Sequence, residues 1–400
     1  MSFHSIARGG AALTASLAVG GWALVAPAPA AAQGGVYGSV ALSTSYGYDA
    51  NLLSTPAREG LQSDEFSRTG PAIEAGYASD IVRIGARYSF DADRYRRHGE
   101  LNRMFAQEEA GLRLRYVPTP RFRLSADGAY YMTQTPADLN LDTLLSVGRL
   151  PATRYAGAAS GVYRATERTD LLLDYGYSRD SIIRGIGSEL HSGRVGTERR
   201  MAERDRFGIG YELRRLRFTS ATGDRGREFF HVVTARWRHA ITPWTEIDVT
   251  AGPHIAADGI RPEIAAVLRR EFGRGELSLS YTRAQVTSIG EAGTLDVHRI
   301  SGGGTFRPTR RLSITALPSY AYNARGDFRV PVYSLDADAT LEATERVSIV
   351  LSSRLGRQEG MLSGPRDATP HQRFAVQVIV FVLRTARADG EWPTVAGVDE

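Results

Sequence analysis

Cysteine is absent from all 400 residues, and so is lysine. The first absence excludes a disulfide framework, a thiolate metal cage and a cysteine nucleophile. The second makes every one of the 49 basic residues an arginine, set against 44 acids, and a GC-rich genome explains that as readily as function does. Long apolar runs are also missing. Only the extreme N-terminus approaches the length of a spanning helix, which excludes a helical membrane protein. No Walker-type phosphate loop, zinc-ligand spacing or catalytic glycine motif occurs. What is plentiful is glycine (42), tyrosine (18) and phenylalanine (14), a content too rich for a disordered chain and suited to many strands and turns.

Residues 1–32 have the layout of a secretory signal peptide. Arg8 supplies the positive start, Ala11 to Val25 the apolar stretch, and Ala28, Ala30, Ala31 and Ala32 the small residues before a cut near Gln33. Loss of Arg8 takes the formal charge from +5 to +4.

From Gln33 onward one pattern repeats. Val36, Val40, Leu42, Tyr46 and Tyr48 alternate with Tyr37, Ser39, Ala41, Ser43, Ser45 and Asp49. Val82, Ile84, Ala86, Tyr88 and Phe90 alternate with Arg83, Arg87, Ser89 and Asp91. The same rule governs Leu171, Leu173, Tyr175 and Tyr177 against Asp170 and Asp174, and Leu335, Ala337, Ala339 and Leu341 against Asp336 and Asp338. A period of two gives a strand with one apolar and one small or polar face. About eighteen such segments fall between 36 and 384. Those at 153–164, 190–200 and 263–271 alternate poorly, and Leu213 with Leu216 breaks parity as a bulge would.

The connections alternate in length. Eight are short, such as Ser79-Asp80, Pro118 to Pro120 and Gly273-Arg274; nine are longer, at 51–65, 94–103, 134–152, 182–189, 219–227, 255–262, 287–294, 324–331 and 359–371. This is the rhythm of an all-β, transmembrane, antiparallel up-and-down barrel over residues 33–384, with short periplasmic turns and longer outer loops. A polar periplasmic tail, 385–400, follows. Aromatics fall into two belts, Tyr46, Tyr48, Tyr88, Tyr130, Tyr175 and Tyr320 toward the long loops, and Tyr77, Tyr116, Phe207, Trp237, Trp244 and Phe306 toward the short turns. A soluble β-sandwich would crowd them into one interior instead.

With the signal segment, strands directly after it and Tyr48-Asp49-Ala50-Asn51 closing the first strand, the chain resembles the outer-membrane "beta-barrel porin 2" family. Its members often carry a Tyr-Asp-Asp-Asn-like run there, from which Ala50 departs. The resemblance implies the outer membrane of a Gram-negative cell more than it implies a substrate. The C-terminus also departs from the barrel habit of ending on an aromatic, because Phe374 to Arg384 precedes a polar tail.

A lumen is where function should lie. Its candidate lining residues are Arg83, Arg87, Arg113, Arg115, Arg121, Arg123, Asp127, Arg236, Arg238, Asp336 and Asp338. The bland alternative is that such residues neutralise one another as cross-strand ladders. Net charge is +4 over 113–123 and +3 over 307–311, so the periplasmic mouth should be basic and attract anions. Passive passage of hydrophilic, preferably anionic solutes is the first expectation, and export of an acidic exopolysaccharide the second. Outer-membrane lipid and lipopolysaccharide are the expected surroundings, with no nucleic acid, metal or cofactor. An enzyme ranks third, since His191-Ser192 and His298 with Ser301 are the nearest approach to a nucleophile pair and neither has an orienting partner in the local sequence. The longest loop, 134–152, should form a short helix over the outer mouth: Thr135 can cap it, Pro136 suits its first position, Asp138 its N-terminus, and Leu141, Leu144 and Leu145 share a face before Gly148 and Pro151 end it.

Overall fold

The computed structural model describes residues 34–182, 186–360 and 367–384. The expected signal segment, 1–32, and the tail, 385–400, lie outside the described residues. The chain runs through β1 (Gly34–Asp49), β2 (Asp64–Ser79), β3 (Val82–Tyr95), β4 (Arg103–Thr119), β5 (Phe122–Thr133) and β6 (Ala152–Thr166). Then come β7 (Thr169–Ile182), β8 (Gly187–Arg200), β9 (Asp205–Thr219), β10 (Arg225–Thr242), β11 (Thr245–Ala256) and β12 (Gly259–Phe272). The last six are β13 (Gly275–Thr287), β14 (Thr294–Phe306), β15 (Leu312–Arg325), β16 (Phe328–Thr344), β17 (Val347–Glu359) and β18 (Ala368–Arg384). Each strand pairs antiparallel with its sequence neighbours, and β1 also pairs with β18 from Ser39–Arg384 to Asp49–Arg373. The 18 strands therefore close on themselves, and no edge is left to template another chain.

The period-two pattern sorts residues to opposite sides of this wall. Leu173, Val195 and Leu277 stand on the outside, exposed, whereas Ser43, Ser178, Asp180 and Thr234 lie buried on the inside. Water would not tolerate an apolar surface of that extent, so the outside is built for lipid. Rings on neighbouring strands meet in the belt nearer the long loops, Tyr130 with Tyr155 and Tyr320 with Tyr333, each with centroids 5.0 Å apart. The opposite belt exposes Tyr77, Tyr163, Phe207, Trp237 and Trp244.

Three details depart from the sequence pattern. The weakly alternating segments are regular strands, β6, β8 and β12: Gly157, Gly161, Gly193 and Gly196 disturb the pattern of β6 and β8 without disturbing their pairing, and β12 pairs without a break with β11. No bulge interrupts β9, whose register with β8 and β10 is continuous. Leu213 faces out, 41% exposed, and Leu216 faces in, fully buried, so the parity of β9 is kept and its inward face simply carries a leucine beyond Glu212 and Arg214. The connections expected at 255–262 and 324–331 shrink to two-residue turns, Ala257-Asp258 and Gly326-Asp327, as the flanking strands stay hydrogen-bonded to their tips. Gly326 (φ 56°) supplies the left-handed conformation that so tight a reversal needs.

The Tyr48–Asn51 run has a structural role. Asp49 Oδ1 accepts the Asn51 amide at 3.0 Å, and Asn51 Nδ2 donates to the carbonyls of Thr55 (2.9 Å) and Pro370 (2.7 Å). Asn51 thereby ties the first outer loop to β18 beside the seam.

Replacement of outward Leu173 by arginine should lower folding stability in lipid vesicles by about 2–4 kcal/mol, as expected for a charge at mid-bilayer depth. The same change at inward Ser280 should cost less than about 1 kcal/mol, because the lumen is wet and already charged. Denaturant titration of both variants checks this, and equal losses would contradict the assignment of faces.

Candidate functional site: the lumen and its inward loop

The lumen contains a cavity of about 1930 Å³. At one end it reaches the short turns at Arg168, Trp244, Arg274 and Arg310; at the other it stops beneath Thr135, Asp138, Leu141, Leu144 and Ser146 of the loop 134–151. Its walls differ. β13 to β15 contribute hydroxyls, among them Ser278, Ser280, Thr282, Ser301 and Thr315, while β8 to β12 contribute charge, among them Arg194, Glu198, Arg206, Arg236, Asp248 and Arg269. Fifteen arginines and twelve carboxylates line the cavity, a net formal charge of +3.

Inward charges on adjacent strands stand within reach of one another, and much of this charge is paired. Arg236 Nε donates to Asp248 at 2.9 Å and the guanidinium lies 3.7 Å from Glu198. Arg238 is 3.3 Å from Glu246, and Arg206 is 3.6 Å from Glu198. Of the residues expected in the lining, Arg123, Arg236, Arg238, Asp336 and Asp338 border the cavity. Arg83, Arg87, Arg113, Arg115 and Asp127 sit on the inward parity of β3 to β5, away from that space. Arg87 Nη2 donates to Glu109 at 2.7 Å, and Arg113 stands opposite Asp127. Arg83 and Arg115 stand opposite each other, a like-charge pair at the turn end. Arg121 occupies the exposed turn between β4 and β5.

The loop 134–151 folds inward and fills the outer half of the lumen. Its only helical part is a single 3-10 turn, Pro136–Leu139, with Pro136 at its start and no side-chain hydrogen bond from Thr135. The helix expected through Leu145 does not form: Leu144 has φ 57°, and beyond one helix-like bond from the Leu144 amide to the Asn140 carbonyl (2.7 Å) the carbonyls of Leu139, Leu141 and Thr143 turn to the wall. Arg154 Nη1 donates to the Leu139 carbonyl (2.7 Å) while its other nitrogens grip Asp180 (2.6 and 2.9 Å). Asn323 Nδ2 donates to the Thr143 carbonyl (2.9 Å), and the Ser146 amide donates to Gln358 (2.8 Å). Asn140 exchanges two bonds with Ile289 of a neighbouring loop (2.7 and 3.2 Å). The leucines split. Leu145, 2% exposed, packs on Leu295, Val297, Val330 and Val332; Leu139 packs on Ala152, Ile182 and Ile289; Leu141 and Leu144 form the cavity roof.

Among the described residues two ion pairs join this loop to the wall. Asp142 lies 3.9 Å from Arg299, and Asp138 pairs with Arg354, whose Nε also donates to Asp336 at 2.6 Å. Burial alone would raise the Asp138 carboxyl, but Arg354, with Arg373 and Arg68 behind it, outweighs burial and holds it below the usual carboxylate range. Sequence reasoning marked Asp336 and Arg354 as inward residues and Asp138 as a helix-start residue, and missed Arg154, Asn140 and Asn323. For Arg154 and Asn323 the only advance signal is inward parity, and for the loop residue Asn140 there is none.

The two histidine–serine pairs of the sequence are not brought together. His191 and Ser192 occupy opposite faces of β8, as do His298 and Ser301 of β14; each histidine bonds a tyrosine on the outer surface, Tyr175 at 2.8 Å and Tyr281 at 3.1 Å. Among the described residues no group of histidines and carboxylates is placed to hold a metal ion.

No family model matches the chain, and no curated protein matches it. Solved structures similar to it include OpdQ of Pseudomonas aeruginosa, 8% identical over 87% of this chain and 98% of that one, with a TM-score of 0.46. OccAB4 of Acinetobacter baumannii is 8% identical over 86% and 97%, also at 0.46. The siderophore receptor PirA of Pseudomonas aeruginosa is 11% identical over 86% and 80%, at 0.40. What this barrel does therefore rests on its own residues.

Arg354→Ala should free the loop at the cost of the charge-assisted bonds it makes to Asp138, worth about 1.5–3 kcal/mol. Limited proteolysis within 137–149 should speed up while the barrel stays resistant. Because the folded Asp138 value is depressed, its contribution is complete above the ordinary carboxylate value and lost only as pH falls through the lowered one. Cleavage rates should thus be flat across neutral pH and rise in acid, a rise absent from Asp138→Asn.

Proposed function

We propose that the chain is an outer-membrane channel for small hydrophilic solutes with a preference for anions, closed at its outer mouth by the loop 134–151. The observation that carries this reading is the cavity itself: polar, net positive and continuous from the short turns to the underside of that loop. A wet, charged lumen inside a lipid-facing wall is what a channel requires, and a confined positive field enriches anions. Passage requires the loop to swing aside, which means releasing the Asp138–Arg354 pair together with its bonds to Arg154, Asn323 and Gln358. The resemblance drawn from Tyr48–Asn51 is in keeping with this reading, although that motif acts on the seam and not on the pore.

Deletion of 137–149 should raise single-channel conductance in planar bilayers without loss of heat-resistant barrel, since outer loops tolerate deletion better than strands. Unchanged conductance in a folded deletion would remove the loop as the closure. Replacing Arg115 and Arg123 together with glutamine should shift the reversal potential in a salt gradient toward cation preference, because two fixed charges leave the narrow turn end.

A second reading, export of an acidic polysaccharide, is favoured by one observation: the cavity opens at the turn end and is roofed at the other. Oligouronates added to the turn side of the loop-deleted channel would then block current at far lower concentration than chloride competes. No such block leaves the small-anion reading alone.

A further inference from the structure

The outer surface of the barrel, not the lumen, carries the next feature. On β7 to β10 the registers align outward residues in lateral rows. Leu173, Val195, Tyr211 and Val233 form one row. Two rows toward the long loops, Tyr177, His191, Arg215 and Phe229 form another, and beyond it come Arg179, Glu189, Arg217 and Arg227. The sheet thus grades from aliphatic through aromatic to cationic along its length.

Arg179, Arg215, Arg217 and Arg227, on adjacent strands, share the loop-side part of this outward face with one acid, Glu189; outward Asp205 lies at the turn end, bonded to Trp237 and His239. Glu189 is already engaged, 3.0 Å from His191 Nε2 and 3.7 Å from Arg217. Arg217 and Arg227 are direct cross-strand neighbours, an arrangement that repels unless an anion sits between them. Arg215 Nε is buried with no hydrogen-bond partner, and Arg217 is 53% exposed. Elsewhere on the outward face, Arg96 and Arg357 each lie beside a carboxylate, Glu65 at 2.9 Å and Glu359 at 3.4 Å.

The depth fits a headgroup. Phe207 of the turn-side belt and Arg217 are ten residues apart on β9. At about 3.4 Å per residue and a tilt of about 40°, that spacing spans about 26 Å, close to the height of a barrel's apolar band. The arginines therefore stand where phosphates of the outer leaflet would lie, above a ribbon of Leu, Val and Tyr suited to acyl chains.

We propose that Arg179, Arg215, Arg217 and Arg227 form a binding site on the barrel exterior for a phosphorylated glycolipid of the outer leaflet, of the lipopolysaccharide class. Guanidinium forks match phosphate monoesters bidentately, and Phe229, stacked under Arg227 at 4.5 Å, holds one fork in place. The two headgroup phosphates neutralise the repulsion between neighbouring arginines, and the acyl chains cover the rows below. The site rests on the outer-membrane reading, with the long loops outside.

The test compares the full-length barrel with an R215Q/R217Q/R227Q variant, both purified in detergent and checked for the folded, heat-modifiable form. Native mass spectrometry is run with bis-phosphorylated lipid A, with the same lipid dephosphorylated, and with inorganic phosphate as competitor. Retention of the phosphorylated lipid by the wild type, weakened on the order of a hundredfold in the variant and similarly on dephosphorylation, is the expected result. Equal retention by wild type and variant overturns the site, and so does displacement by millimolar phosphate, which would mark a free-anion site. A tag placed at 221–223 separates the two readings. If it is inaccessible on intact cells, the orientation and the lipid site both fall; if it is accessible and the lipid is not retained, the lipid site alone falls.

Discussion

Every other property of this molecule depends on the pairing of β1 with β18. Inside a bilayer an unpaired backbone amide or carbonyl has no water to turn to, and each would cost several kcal/mol. A row of eleven opposed positions joins the two strands. Once that row is made, no strand has a bare edge, and side chains are freed from having to build a conventional core. The outward face can be largely apolar and the inward face largely polar because the backbone already holds the wall together.

That freedom is used differently along the barrel axis. The turn-side half of the lumen is wet and lined by paired arginines and carboxylates such as Arg236 with Asp248. The loop-side half contains apolar clusters of the kind found in soluble proteins, with Leu145 among Leu295, Val297, Val330 and Val332, and Leu52 among Phe66 and Tyr95. Polar anchors stitch these clusters to the wall. Arg154 joins Asp180 to the Leu139 carbonyl, and Arg68 holds Asp93 at 2.6 Å and Gln107 at 2.8 Å. The barrel is therefore a vestibule capped by a small domain-like core.

The wall was legible in the sequence because its physics is local. Alternation at Leu171–Tyr177 or Leu335–Leu341 needs only the period of a strand, and lipid demands it at every outward position. Partner choice was not legible. Arg87, Arg154 and Arg236 look alike in sequence, yet register gives them Glu109, Asp180 with a loop carbonyl, and Asp248. Leu216 read as the mark of a bulge because an inward leucine breaks the polar-in pattern, whereas the register runs on unbroken and buries it. The loop showed its composition but not its path. Pro136 does begin a turn, but Leu144 turns left-handed where the wall, through Arg154, Arg299 and Asn323, competes successfully for the carbonyls.

The seam also sets a schedule for assembly. Ser43 pairs with Ile379 across almost the whole described chain, so the first strand to emerge waits for the last before it is satisfied on both sides. No partial barrel is a resting place in lipid, since any subset of strands exposes two bare edges there. Closure is in this sense a zipper whose two halves lie far apart along the described chain. The export route must keep β1 from pairing elsewhere until β18 arrives, and β18 in turn carries Phe374, Val376, Val378 and Val380 on its outer face, an apolar ribbon that favours reaching the membrane early.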